Sequence, residues 1–269
     1  MFQWMALKKI ARNSVSDAVY EQLSREILEG RIQPGDTLPA ERALCDMLGV
    51  NRGAIREALK RLGQAGLVEI RHGGGSTVLD FRSSAGTDLL SGLLLKSDGG
   101  VDYEVGRSIM EMRAALGPDV ARLCALRRPD TLVERLQGSV DAMQRDAGDV
   151  HALQQHDIEF WQLLIEGAQN IAYRLAYNSL RATYDHLREL LARALTEEVS
   201  DLRGHREILE AVRAGDSARA ESSARRLLST GTEAVLALLQ WLEALPTSEP
   251  GATSPPSTHE EVSDRGLEP

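Results

Sequence analysis

Apolar side chains recur at helical spacing in three short segments near the N-terminus. The spacing predicts helices over residues 16–30, 38–49 and 51–66, separated by turns that contain glycine, proline or asparagine. The positions predicted to be buried are those that share one helix face: Val19, Leu23, Ile27 and Leu28; then Ala43, Leu44, Met47 and Leu48; then Ala54, Ile55, Ala58, Leu59 and Leu62. The tight turn between the second and third segments is typical of a helix–turn–helix.

The pattern changes after Gly66, where apolar and polar residues begin to alternate. Residues 67–71 and 76–80 read as two short strands, and His72-Gly73-Gly74-Gly75 between them reads as the tip of a hairpin. A helix–turn–helix followed by a β-hairpin predicts a winged helix.

Basic residues lie on the side of the third helix that faces away from its apolar positions. Arg52, Arg56 and Lys60 recur every four residues, and Asn51 is placed to cap the helix. Cationic and hydrogen-bonding side chains near the start of such a helix can reach base edges and phosphates in DNA. A single basic residue is more often part of a solvated surface, but this order of residues favours double-stranded DNA as a partner.

The segment LPAERALCDMLGVNRGAIREALKRLGQAGLVEIRHGGGSTV resembles the winged-helix domain of the GntR family of regulators. The resemblance covers roughly residues 15–80. Ala40 stands where the family usually has serine, and Asn51 stands where it usually has serine or threonine. It implies that the DNA-contact positions are Arg42, Asn51, Arg52, Arg56, His72 and Gly73.

From residue 87 to about residue 245 the pattern is helical almost throughout, and no stretch alternates convincingly as a strand. The predicted helices span 87–97, 102–127, 130–146, 150–167, 170–195, 197–214 and 216–244. The fold class we expect is therefore mainly α: a winged helix–turn–helix with a small hairpin, followed by an all-helical bundle.

Three segments of this bundle, MEMRAALGPDVARLCA, HDIEFWQLLIEGAQN and GHREILEAVRAGDSARA, resemble the FCD effector domain of the GntR branch that includes the fatty-acid-responsive regulators. The resemblance implies a small-molecule sensor and a homodimer that presents two winged helices to a pseudo-palindromic operator. A dimer also suits two DNA half-sites on physical grounds.

Many FCD domains hold a divalent metal with one aspartate and three histidines. Asp157 and His205 match two of these positions, but the other two fall at Trp161 and near Leu227, which cannot ligate. We therefore expect no metal cofactor, and we expect Asp157 and His205 to form a buried hydrogen-bonded pair or polar anchors in a pocket. A metal-dependent regulator that senses a small carboxylate is the alternative.

Apolar residues at the metal positions favour a hydrophobic ligand. The fatty-acid-responsive branch that the bundle resembles likewise lacks the metal residues and senses acyl-CoA, so the resemblance implies a fatty acyl-CoA or fatty acid as the first expectation. A smaller organic acid held by Arg113 is the second. The ligand-binding candidates are Arg113, Asp157, Trp161 and His205. Arg113 could equally pair with Glu111 or Asp157 inside the bundle. We expect the stripe formed by Tyr177, Leu180, Tyr184, Leu187 and Leu191 to belong to the core.

The net charge changes sign near residue 82, where the winged-helix pattern gives way to the helical bundle. The whole chain of 269 residues has a net charge of −9, which by itself argues against nucleic acid. Residues 1–82 hold 12 basic and 10 acidic side chains, so their net charge is +2 and the remainder carries −11. We expect a DNA-binding domain over 1–82, a linker over 83–86, an effector and dimerisation domain over 87–245, and a disordered tail over 246–269.

No apolar run reaches the roughly 18–20 residues of a membrane span, and no signal peptide opens the sequence. Two cysteines, Cys45 and Cys124, are too few for a disulfide framework. We therefore expect a cytoplasmic protein without a membrane partner.

Two alternatives come from other functional classes. His151, His156, His186 and His205 could support acid–base catalysis, but none of the common catalytic motifs is present, so we expect no enzyme. A winged helix that binds protein would expose apolar anchors instead of a basic stripe, which disfavours an adaptor.

Overall fold

The computed structural model describes residues 15–71, 75–129 and 131–244. The predicted hairpin tip with His72 and Gly73, and the predicted tail over 246–269, lie outside the described residues. The N-terminal elements are α1 (Val15–Leu28), α2 (Glu41–Leu48), α3 (Arg52–Gln64), β1 (Val68–Ile70), β2 (Ser76–Val78) and α4 (Phe81–Ser84).

The three N-terminal helices and the hairpin enclose one core, which confirms the predicted winged helix. Strands β1 and β2 pair antiparallel with Val68 opposite Val78, and both valines are buried. Ile55 and Leu62 of α3 are fully buried in the same core. Met47 corrects one prediction, because its side chain is 71% exposed although it belongs to the apolar set of α2.

Gly66 lets the chain turn from α3 into β1. Its φ of +72° is unfavourable for residues with a Cβ, and an added Cβ would lie 2.6 Å from the backbone oxygen of Ser84. The Ser84 hydroxyl donates to the Gly66 carbonyl at 2.7 Å. This close approach fixes α4 against the end of α3.

Gly66→Ala should therefore destabilise the protein by at least about 1–2 kcal/mol, the usual cost of a left-handed residue with a side chain. Gly138→Ala is a matched control, since Gly138 lies inside a helix and nothing lies within 4 Å of its added Cβ. That change should stabilise by about 0.5–1 kcal/mol. Urea unfolding of both variants checks the prediction, and equal midpoints for the two would contradict it.

The C-terminal part is helical from its first turn, a single 3₁₀ turn at Thr87–Leu89. The helices that follow are α5 (Leu90–Leu94), α6 (Tyr103–Arg127), α7 (Leu132–Arg145), α8 (Val150–Ala168), α9 (Ile171–His186), α10 (Arg188–Ala194), α11 (Thr196–Ser200), α12 (Leu202–Ala214) and α13 (Ser217–Glu243). The two longest helices, α6 and α13, pack along each other, and α7, α8 and α12 complete a second core. The predicted all-helical bundle is confirmed.

Three predicted helices are shorter than expected. The helix predicted over 170–195 is divided at Leu187, and the one predicted over 197–214 is divided at Asp201. Asp201 starts a new helix because its carboxylate accepts a hydrogen bond from Gly204 N at 2.9 Å. The first helix ends at Leu94, and Leu95 pairs with Val101 across a turn in which Gly99 has a φ of +82°.

The two parts of the chain contact each other beside α1. The carboxylate of Glu29 accepts hydrogen bonds from the backbone N–H and the hydroxyl of Ser97, at 2.8 and 2.9 Å. Leu89, at the end of the 3₁₀ turn, is buried in the N-terminal core. Half of the predicted linker, Ser83 and Ser84, is helical as the end of α4.

No helix in the described ranges is long and apolar enough to cross a membrane. Cys45 and Cys124 are free thiols, and burial raises the pKa of Cys124 to about 12.

Candidate nucleic-acid interface and ligand cavity

Asn51 fixes the start of α3. Its backbone is extended, and its side-chain oxygen accepts a hydrogen bond from Ala54 N at 2.9 Å. This is the predicted N-cap, and it satisfies one of the free N–H groups in the first turn. The cap uses the oxygen of the amide group and leaves the nitrogen end to donate.

The exposed side of α3 carries the predicted basic face. Arg52 and Arg56 have side chains 75% and 70% exposed, and Lys60 is also exposed. The carboxylate of Glu41 lies 2.8 Å from Arg52 and 3.7 Å from Arg56. Exposed ion pairs of this kind contribute little stability, so both guanidinium groups can exchange Glu41 for a phosphate or a base edge.

Two further exposed cations lie outside α3, and one of them, Arg42, is a predicted DNA contact. Arg42 is exposed on α2. Arg71, next to the hairpin tip, is paired with Glu69 of β1 at 2.8 Å. The exposed cations therefore come from α2, α3 and the hairpin, as the winged-helix prediction requires.

The cap of α2 is weaker than that of α3. Ala40 occupies the N-cap position with φ −55° and ψ 149°, and no side-chain hydrogen bond closes the first turn. Ala40→Ser should supply that hydrogen bond and stabilise the protein by about 1 kcal/mol. Thermal unfolding measures the change, with Ala40→Val as the control that should give no stabilisation. A serine variant no more stable than the valine variant would contradict the prediction.

A cavity of about 160 Å³ lies in the bundle between α6, α8, α9, α10 and α13. Most of its wall is aliphatic or aromatic, and its charged residues are Arg113, Asp157 and Arg181. Such a cavity matches a ligand that is mostly apolar and has few polar groups.

The head group of Arg113 is held from behind by Glu198. Its Nη2 donates to Oε1 of Glu198, whose side chain is completely buried, while the Arg113 side chain remains 22% exposed. The alternative of an ion pair inside the bundle therefore holds for Arg113, but its partner is neither Glu111 nor Asp157. Glu111 pairs with Arg107 instead. Burial raises the pKa of Glu198, and the charge of Arg113 opposes that shift.

Gly231 of α13 makes room for this ion pair. A Cβ at Gly231 would collide with the second carboxylate oxygen of Glu198. The backbone of Gly231 is not in the left-handed region, so its conformation does not require glycine. The close approach of the Glu198 carboxylate does.

Asp157 and His205 form the predicted hydrogen-bonded pair. His205 is completely buried, with Nε2 at 2.9 Å from Asp157 Oδ1 and Nδ1 at 2.8 Å from the Asp201 carbonyl oxygen. Burial opposes protonation of His205, but the hydrogen bond and charge of Asp157 outweigh it and raise its pKa. Oxygen atoms at both nitrogens favour the protonated form of the imidazole.

The pair does not fit the family's metal site. Trp161 and Leu227, which cannot ligate, occupy the other two positions of that site, and both side chains are buried. Within residues 15–71, 75–129 and 131–244, no three His, Cys, Asp or Glu side chains lie close enough together to hold a metal.

Two known family models match separate parts of the chain. The family model "Bacterial regulatory proteins, gntR family" matches residues 15–78, and the model "FCD domain" matches residues 108–230. The HTH-type transcriptional regulator Mce2R of Mycobacterium tuberculosis is 40% identical over 235 residues, which cover 87% of this chain and 97% of that protein. The chain belongs to the gntR family. It is a DNA-binding transcriptional regulator with an FCD effector domain, and not an enzyme.

Other relatives of the regulator have different names. LutR of Bacillus subtilis is 30% identical over 73% of this chain and 90% of its own length. A protein of Shewanella frigidimarina named "Fatty acid metabolism regulator protein" is 29% identical over 61% of this chain and 66% of its own. The solved structure of the Listeria monocytogenes protein Lar superposes with a TM-score of 0.53 at 19% identity, covering 83% of this chain and 97% of that one. This last similarity concerns the fold alone.

Several ligand predictions for the regulator change in detail. Arg113, Asp157 and Trp161 line the cavity, but His205 lies behind Asp157 and does not. The stripe assigned to the core, from Tyr177 to Leu191 on α9 and α10, lines the cavity wall, and Tyr177, Tyr184 and Leu191 also pack against the core. Leu227 is buried away from the cavity, and its neighbour Leu228 faces it.

Sequence reasoning missed Glu198 and Gly231. Glu198 lies in TEEVS, where Leu195 and Val199 flank it as buried residues. An acidic side chain at an inward position of a helix is a signal for a buried partner. The glycine at 231 interrupts an otherwise regular helix and indicates a close approach of another group.

Proposed function

We propose that the regulator binds a pseudo-palindromic operator as a homodimer. The exposed basic face of α3 is the observation that carries this proposal, because it combines a capped helix start with two arginines free to leave Glu41. The proposed contacts to DNA are Arg42, Asn51, Arg52, Arg56, His72 and Gly73. The two-fold symmetry of a dimer would match two half-sites of the operator.

The proposed effector is a fatty acid or a fatty acyl-CoA. Support comes from the aliphatic and aromatic cavity wall, and from relatives whose names refer to fatty acid metabolism. Arg113, Asp157 and Trp161 provide polar atoms at that wall, with His205 supporting Asp157. A small organic acid is the weaker candidate, since it would leave most of this apolar surface without contact.

We further propose that the cavity and the DNA-binding domain communicate through the segment after the linker. The proposed domains span 1–82 and 87–245, with 83–86 as linker. Leu94 of α5 lines the cavity, and Leu89, one turn earlier, is buried in the N-terminal core. A ligand that displaces Leu94 would therefore move a segment packed against α1. DNA as the target places the regulator in the cytoplasm.

Thermal unfolding with candidate ligands tests the effector proposal. A bound fatty acid or acyl-CoA at 100 times its dissociation constant should stabilise the protein by about 2.7 kcal/mol, and a short organic acid should give no comparable shift. Leu187→Asp, in the cavity wall, should abolish the shift. Leu175→Asp is the matched control on the exposed side of α9 and should retain it. A shift with short acids only would contradict an apolar effector.

A further inference from the structure

Four charged groups lie at or behind the inner wall of the cavity and cancel one another: Arg113 and Asp157 line the wall, and Glu198 and His205 lie behind them. Arg113 pairs with Glu198, and His205, protonated, pairs with Asp157. Two positive and two negative charges give a net charge of zero. No charge is therefore left over for an anionic ligand to neutralise.

Some polar atoms in or behind this wall nevertheless lack a hydrogen-bond partner. Nη1 of Arg113, Nε1 of Trp161 and Oε2 of Glu198 are buried without a hydrogen bond. The first two belong to cavity-lining residues and are donors, so they suit the oxygen of a ligand head group. Buried donors without partners are costly, which makes an oxygen acceptor at this position favourable.

We propose that the ligand's inner end binds at Arg113 and Trp161 without net charge, so that a carboxylic acid is bound together with one proton from solvent. The proton is shared by the ligand carboxyl and Glu198, which would otherwise be two carboxylates on one guanidinium. This inference rests on the proposed function, because it concerns the head group of the proposed apolar ligand.

Every element around Glu198 supports this charge balance. Among the described residues, Arg113 on α6 is the direct ion-pair partner of Glu198. Asp157 on α8 adds a further negative charge, and His205 on α12 adds a positive one. Helix α13 presents Gly231, which has no charge. Tyr177 of α9 stays neutral, since burial raises its pKa to about 12. A second buried carboxylate, from the ligand, would therefore lie beside Glu198 without a cation of its own. Two carboxylates that share one site repel each other, so one of them keeps a proton.

Arg181 is the other cation in the cavity wall. It is paired with Asp185 at 3.0 Å, and Asp185 also accepts from Arg188 at 2.8 Å, so this group has an excess positive charge near the surface. A carboxylate bound there would need no proton. The number of protons taken up thus distinguishes an inner head group from one at Arg181.

Titration calorimetry of decanoic acid and decan-1-ol counts these protons. Each ligand is titrated at the same pH in phosphate and in Tris, whose ionisation enthalpies differ. We expect uptake of about one proton for the acid and none for the alcohol. The affinity for the acid should correspondingly fall about tenfold per pH unit between roughly pH 6.5 and 8.5, with no change for the alcohol.

Two variants locate the proton. Glu198→Gln removes one negative charge, so decanoic acid should bind without proton uptake. Glu166→Gln is the control, because Glu166 lies in a half-exposed pair with Arg135, and it should keep the uptake of one proton. Persistence of the uptake in Glu198→Gln would overturn the assignment to Glu198.

If decanoic acid binds to the unmodified protein without proton uptake, the proposal is overturned. If Arg181→Gln then abolishes binding of the acid, the carboxylate lies at Arg181. Failure of both ligands to bind refutes the apolar effector of the proposed function, and this inference with it.

Discussion

Glu198→Ala should lower the free energy of unfolding by about 3–5 kcal/mol, because it leaves the guanidinium of Arg113 without its buried counter-charge. Glu198 is completely buried, and Gly231 makes room for its carboxylate beside Arg113. Urea unfolding monitored by circular dichroism measures the loss.

Two further variants test whether the loss of stability comes from the buried ion pair itself. Glu166→Ala breaks a pair in which both side chains are 50% exposed, and it should cost less than about 1 kcal/mol. The double variant Arg113→Met with Glu198→Leu removes both charges and should recover most of the lost stability. A cost of Glu198→Ala no larger than that of Glu166→Ala would contradict the account of this ion pair.

Arg52→Ala and Arg56→Ala should each weaken binding to operator DNA by about tenfold or more without changing the unfolding curve. Both side chains are largely exposed, so their loss removes a DNA contact and no packing. Arg203→Ala is the matched control, since Arg203 is 85% exposed on α12, in the effector domain. Fluorescence anisotropy with labelled duplex DNA provides the measurement. Unchanged affinity of both variants would remove α3 as the DNA-reading helix.

The winged helix could be predicted almost completely from local signals. The cap at Asn51, the turn at Gly66 and the alternation in the hairpin depend on residues close in sequence, and the structure follows them. Met47 was misassigned because apolar character alone does not place a side chain in a core. The charge of −9 became informative only after residues 1–82 were separated from the rest.

The cavity could be predicted only in part. The pairing of Asp157 with His205 was accessible, since both positions could be compared with the family's metal site. Arg113 and Glu198 are 85 residues apart, and helical periodicity says nothing about which helices face each other. The break at Leu187 was also invisible, because the apolar stripe continues through it into α10. That stripe lines a cavity as well as packing against the bundle core, and this depends on tertiary packing alone.

The central claim is that an apolar ligand in the bundle changes the affinity of the winged helices for DNA. It is tested most directly by the anisotropy of a duplex that the regulator itself selects from random sequences, with and without decanoic acid or an acyl-CoA. We predict a selected sequence with two related half-sites, and a change in affinity of at least about fivefold on addition of ligand, the lower end of typical allosteric coupling. An affinity that is the same with and without a ligand shown to bind would contradict the account.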